Sequence, residues 1–178
     1  MPTLRINIEN EDDTHFITIT TIEWIDIFTK TEYFDVIIDS LKYCQKNKGL
    51  LLFEYVIMTN HIHMICRAMD GVKLSQIVSD FKKHTTREIL KLLKTDNRKY
   101  IKNLLDNSFR KKEGYENQIW QRENYPEVMT TEIFYNQKLN YIHNNPVKRG
   151  FVSMSEDWLY SSARNRVLND NSLIKLDS

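Results

Sequence analysis

The sequence predicts an α+β fold, an antiparallel β-sheet with helices packed on one face. Three observations predict it. Short runs in period two alternate with longer apolar patterns in the helical period. Those patterns follow one another as strand, helix, strand, strand, helix, strand, the order of a ferredoxin-like sandwich, though other α+β arrangements fit the same string. Finally, 41% of the 178 residues are hydrophobic and only 3 Pro and 4 Gly occur, which excludes a disordered chain.

Each element has its own signal. His15–Ile22 (HFITITTI) alternates Phe, Thr and Ile in period two and reads as a strand. From Phe28 to about Lys46, the apolar positions Phe34, Ile37, Ile38, Leu41 and Cys44 fall at helical spacing, ending near Asn47-Lys48-Gly49. Leu50–Met58 is a strongly apolar strand, Thr59-Asn60 a tight turn, and His61–Arg67 a strand pairing back as a hairpin. Val72–Leu93 repeats apolar residues at 74, 77, 78, 81 and 89, a helix whose outer face carries Lys82, Lys83, Arg87, Lys91 and Lys94. Residues 94–117 read as loop with a short helical piece. Gln118–Arg122 and Tyr125–Met129 read as short strands around a turn. Thr130–Asn145 reads as a helix capped by Thr130 or Thr131, with Glu132 in its first turn. Pro146 is expected to end it, because the residue before a proline is pushed out of the α region. The tail from Phe151 holds Trp158 and a short SSARNR segment.

The length suits a single domain over 1–178, with its core at about 14–150 and a C-terminal extension over 151–178. No apolar run reaches the roughly 18 residues of a membrane span. The start, MPTLRINIENEDD, carries acids where a secretory signal would carry bases. Cys44 and Cys66 lie inside apolar runs and read as buried free thiols in a reducing compartment, so a cytoplasmic protein with no membrane partner is expected. Net charge is only +1, but it is unevenly spread. Nine acids and one base lie between Glu9 and Asp39, whereas eleven Lys/Arg and four acids lie between Lys82 and Glu113. Such polarity fits a polyanion partner; a solvated helix face would give it too.

Two patterns carry chemistry. On a strand, residues i and i+2 share a face, so His61 and His63 project together, about 7 Å apart along the chain, and can share one divalent cation. Polar side chains between apolar runs need a reason to be desolvated. In LNYIHNNPVKRG, Tyr141 and Asn145 are i, i+4 on a helix and lie one above the other. A phenol nucleophile beside an amide-oxygen ligand makes a workable pair for a phosphodiester. Each pattern also has an ordinary reading: two histidines on a half-exposed strand, a packed tyrosine, an asparagine turning the chain before Pro146.

VIMTNHIHMI resembles the histidine–hydrophobic–histidine motif of the HUH nuclease superfamily. IWQRENYPEVM, followed by KLNYIHNNPVKRGFV and then WLYSSA, resembles the REP-associated tyrosine transposases, relatives of the single-tyrosine transposases of small insertion sequences. The resemblance runs from HFITIT to SSARN. It implies a ferredoxin-like domain that cuts single-stranded DNA at hairpin-forming repeats and transfers the strand, through a 5′-phosphotyrosine intermediate. It also implies a metal, Mg²⁺ or Mn²⁺, held by His61, His63 and Asn145, with Tyr141 as nucleophile. Insertion-sequence relatives usually carry glutamine as third ligand; asparagine is what the REP-associated branch tends to show. Tyr125 is a rival nucleophile without a ligand on its own helix, and His143 sits on a different helix face from Tyr141. The basic face of Lys82, Lys83, Arg87 and Lys91 is expected to track DNA phosphates, together with Arg98, Lys99, Lys102, Arg110–Lys112, Lys148 and Arg149. Trp120 and Tyr125 could stack bases, with a core role favoured for Trp120. The family contains dimers that exchange the tyrosine helix and also monomers, so a homodimer stays open. The competing readings are a metal-free nucleic-acid-binding module of the same fold, a replication-initiator or relaxase nuclease, and a degenerate relative that binds without cutting.

Overall fold

The computed structural model describes residues 12–111 and 117–178. β-Branched alternation forms β1 (His15–Thr20), and the apolar hairpin forms β2 (Leu50–Ile57) and β3 (His61–Ala68). With β4 (Glu127–Val128) they make one antiparallel sheet in the order β2-β3-β1-β4. The crossovers are α1 (Thr31–Asn47) and α2 (Leu74–Thr95), so the order is the ferredoxin-like one. Phe34, Ile37, Ile38, Leu41 and Cys44 of α1 bury one stripe, and Leu74, Ile77, Val78, Phe81, Ile89 and Leu93 of α2 another. Both stripes close on Ile17, Ile19, Ile62 and Met64 of the sheet. Each such side chain contributes roughly 1.5–3 kcal/mol of burial. Cys44 and Cys66 are free thiols in this core, pushed up by burial to about 11 and about 12. No described helix is long and apolar enough to cross a membrane.

Three elements differ from the sequence expectation. The short helical piece expected within residues 94–117 is a full helix, α3 (Lys99–Lys111), which buries Ile101 and Leu105 against the main core. Two anchors four residues apart, among charges, suffice once a core is there to receive them. The Gln118–Arg122 segment is not a regular strand: Trp120 bridges Thr21 and the chain follows β1 through isolated bonds, such as Gln121 N–H to Thr20 O at 2.8 Å. Tyr125, at φ +43°, breaks the run before β4. The last long helix, α4 (Glu132–Lys148), is capped by Thr131, whose hydroxyl accepts from Phe134 N–H at 3.1 Å, and it runs through Pro146. A proline this close to a helix end removes a single N–H, and the chain is still closed by Arg149 N–H to Asn145 O at 3.1 Å and Phe151 N–H to Pro146 O at 3.0 Å.

While α1 and α2 share one sheet face, α4 covers the other, where Ile142 meets Phe16, Val56, Met58 and Ile65. The segment after α4, with a 3-10 turn at Ser155–Asp157 and α5 (Ala163–Leu168), runs along the outer edge of β2. Ile57 N–H donates to Tyr160 O and Ser162 N–H to Tyr55 O, both at 2.9 Å, and Trp158 Nε1–H reaches Ile57 O at 3.0 Å. An edge that would otherwise expose its donors and acceptors is thereby paired.

Candidate metal and nucleophile site

Period-two geometry divides β3 between the two faces. Ile62 and Met64 enter the main core; His61 and His63, opposite Thr20 and Thr18 of β1, face α4. Their rings lie 4.7 Å apart between centroids, and both side chains are buried. His61 Nδ1 lies 2.7 Å from Asn60 Oδ1 and His63 Nδ1 lies 2.9 Å from Thr18 Oγ1. With each Nδ1–H donating to its oxygen, the lone pair of each ring sits on Nε2. His63 Nε2 is buried without a hydrogen-bond partner. Burial lowers both histidines, His61 to about 4 and His63 to about 3. Arg149 pushes both further down, and His61 and Lys138 add to the effect on His63. Neutral imidazoles at neutral pH are the ligand form.

From α4, Tyr141 brings its ring to 5.0 Å from that of His63 and 6.1 Å from that of Phe16, and it stays 42% exposed. One turn on, Asn145 is buried with its Oδ1 lacking a hydrogen-bond partner, and the nearness of its side chain offsets part of the lowering at His61. Among the described residues no three His, Cys, Asp or Glu gather as a metal cluster. The grouping here is two imidazoles and an amide. Two buried lone-pair atoms left without partners are costly unless something binds them, so this donor set fits a divalent cation.

What fixes α4 against the sheet is a polar cluster that sequence reasoning missed. Glu54 is fully buried on β2, just past a register shift after Leu52. It accepts from Ser162 Oγ at 2.6 Å, His143 Nε2 at 3.0 Å and Arg166 Nε at 2.7 Å. One carboxylate thus joins β2, α4 and α5. The lone acid inside LLLFEYVI was the available signal.

The basic residues divide. Lys148 Nζ lies 5.9 Å over the Tyr141 ring, and Arg149 follows directly. Lys138, which the sequence did not single out, pairs with Glu127 at 2.6 Å and sits 4.3 Å over the Phe16 ring. Lys83, Arg87 and Lys91 are exposed but lie on α2, across the sheet from the histidines; Arg87 and Lys91 both pair with Glu88. Lys82 is turned inward, its ammonium donating to Gln121 O at 2.5 Å and Asn124 Oδ1 at 2.9 Å, and burial lowers it to about 8. It ties the 121–124 segment to α2 rather than facing solvent. Arg98 likewise donates to Ile27 O and covers the Tyr33 ring. Lys99 and Lys102 are exposed on α3, while the side chains of Arg110–Lys112 lie outside the described residues. Trp120 is 2% exposed with its indole N–H on Thr85, whereas Tyr125 is 58% exposed.

The family model described as "Transposase IS200 like" matches residues 13–109, more than half of the chain, a span that holds both histidines and ends before α4. A Haemophilus influenzae protein assigned by name as a REP-associated tyrosine transposase is 29% identical over 111 residues, 60% of this chain and 54% of that protein. The chain therefore spans about half the length of that relative. A solved structure titled as a REP-associated tyrosine transposase bound to a REP hairpin superposes with a TM-score of 0.64 at 20% identity, covering 94% of this chain and 85% of the other. That likeness is one of fold.

Proposed function

This chain belongs to the family of IS200-like transposases, and from that premise we propose that it cuts and transfers single-stranded DNA at hairpin-forming repeats. The observation that carries the reading is Tyr141 standing over a buried pair of neutral histidines beside two polar atoms, His63 Nε2 and Asn145 Oδ1, that lack protein partners. The relative solved with a REP hairpin supports hairpin DNA as the substrate class.

In this reading His61, His63 and Asn145 hold Mg²⁺ or Mn²⁺, which when bound withdraws charge from a scissile phosphate. The neutral donor set leaves the cation's charge undiminished for the phosphate. Tyr141 Oη forms the new bond to phosphorus as the bond to O3′ breaks, so the products are a 5′-phosphotyrosine and a free 3′-OH. The phenolic proton leaves to solvent, to which Tyr141 is open. Attack by another 3′-OH reverses the step and joins strands. Arg149 and Lys148 flank the reacting phosphate and favour the anion.

The test is incubation with Mn²⁺ and labelled single-stranded hairpin oligonucleotides from the neighbouring genomic DNA, followed by denaturing electrophoresis. Wild type gives a covalent adduct, and Tyr141→Phe gives none while folding normally. An adduct of equal yield in Tyr141→Phe moves the nucleophile elsewhere, with Tyr125 the next to replace.

A further inference from the structure

We propose that Trp24 is a stacking platform for a DNA base flanking the scissile phosphate, an inference that rests on the single-stranded DNA reading. Of the three tryptophans, Trp120 is in the core and Trp158 is half-buried with its indole N–H on Ile57; Trp24 is 53% exposed. It is held there against its backbone preference. Glu23 and Trp24 are consecutive non-glycine residues in the left-handed region, at φ +50° and +55°, where an L side chain crowds its own backbone. Such conformations persist where surrounding structure imposes them, and they gather at ligand-contacting sites.

The surroundings tie Trp24 to the candidate site twice. Its ring stands edge-on to His61 at 5.9 Å between centroids, and its carbonyl accepts from Asn60 Nδ2 at 3.2 Å, while Asn60 Oδ1 lies 2.7 Å from His61 Nδ1. A phosphate bound at the histidines therefore has an indole within the span of one nucleotide. Of the cations around the site, Lys138 is paired with Glu127, while Lys148 and Arg149 lie at the α4 end and suit the backbone; Trp24 suits a base. An indole face accepts any base, which fits a role in holding the strand rather than reading it.

The experiment uses the full chain in EDTA, so that no cutting occurs, with oligodeoxythymidylate and an abasic chain of equal length as probes. Wild-type tryptophan fluorescence is quenched by the thymidylate and much less by the abasic chain. Trp24→Phe keeps the carbonyl and an aromatic ring; it abolishes the quench and keeps most of the affinity. Trp24→Ala weakens thymidylate binding by about 5- to 100-fold and leaves abasic binding unchanged. Equal quenching by both probes, or a quench that survives in Trp24→Phe, overturns the stacking role while single-stranded DNA binding stands. A fluorescence change that tracks protein concentration without DNA makes Trp24 a contact between copies and also overturns it. If wild type binds neither probe, the DNA reading falls, and this inference with it.

Discussion

The two faces of one sheet are built to different standards. Toward α1 and α2, β3 presents Ile62 and Met64 to a closed apolar core. Toward α4, the same strand presents His61 and His63, and there His63 Nε2 and Asn145 Oδ1 are buried without partners. The first face loses nothing by being complete. On the second, the two unpartnered atoms are the room that the proposed function assigns to a cation and a phosphate, and leaving them unpartnered costs stability. The period-two pleat lets four consecutive residues, His61 to Met64, serve both faces.

The largest expected effect contrasts neighbours on β3. Ile62→Ala costs about 2–5 kcal/mol, since a cavity opens in the closed core. His63→Val removes an unsatisfied nitrogen along with the Nδ1 bond to Thr18, so the two nearly cancel and metal-free stability changes by about 1 kcal/mol or less. In excess Mn²⁺ the wild type gains about 2.7 kcal/mol at a hundredfold excess over Kd, and His63→Val gains nothing. Denaturant unfolding with and without Mn²⁺ measures all of this. If His63→Val costs as much as Ile62→Ala, the two faces do not differ as argued.

Next comes the bolt that holds α4. Glu54→Ala strips His143, Ser162 and Arg166 of their acceptor; Arg166 is half exposed, so the loss sits near the low end for a broken buried pair, about 3 kcal/mol. Its signature is local: hydrogen exchange accelerates in α4 and α5 before α1 and α2. Uniform acceleration would mean that the faces open as one unit.

These contrasts also explain what the sequence reveals. The succession of strands and helices along the chain, the shared face of His61 and His63, and the stacking of Tyr141 over Asn145 all follow from short-range periodicity, which a linear chain displays. Glu54 meets Ser162 and Arg166 across 108 and 112 positions, and no local pattern announces such a contact. Lys82 has the spacing of an exposed helix face, and only the approach of the 121–124 carbonyls turns it inward. Trp24 escapes notice because a strained turn, not a propensity, exposes it. Pro146 reads as a stop in the sequence, yet so near the helix end it costs a single N–H bond and the last turn still closes after it.

Acid should find the same asymmetry. His61 and His63, lowered to about 4 and about 3 from about 6.5, take up protons more readily in the unfolded chain. Their stabilising contribution is therefore complete above about pH 6.5 and is lost as pH falls toward 4. Between pH 7 and 5 the metal-free protein should lose on the order of 4 kcal/mol, about 2 from each histidine. The loss should vanish in a His61→Val, His63→Val double variant, measured by denaturant unfolding across that range. A wild-type profile flat from pH 7 to 5 would mean that the histidines stay accessible to protons in the folded chain.

The smallest effect concerns DNA, and it decides between two basic surfaces. The sequence favours Lys83, Arg87 and Lys91, a continuous stripe, yet α2 lies across the sheet from Tyr141 and two of the three share Glu88. Lys148 and Arg149 are fewer but stand beside Tyr141 and His61. Each phosphate contact removed lowers the salt dependence of binding by about one ion. Replacing Lys148 and Arg149 with Ala should therefore flatten the slope of log K against log salt by about 1.4 and weaken binding to every single-stranded probe. Replacing Lys83, Arg87 and Lys91 should flatten it by less than one, since a strand held at the histidines does not pass over α2. If the α2 variant shows the larger change, the DNA wraps around the edge of the sheet, and both faces then take part in binding.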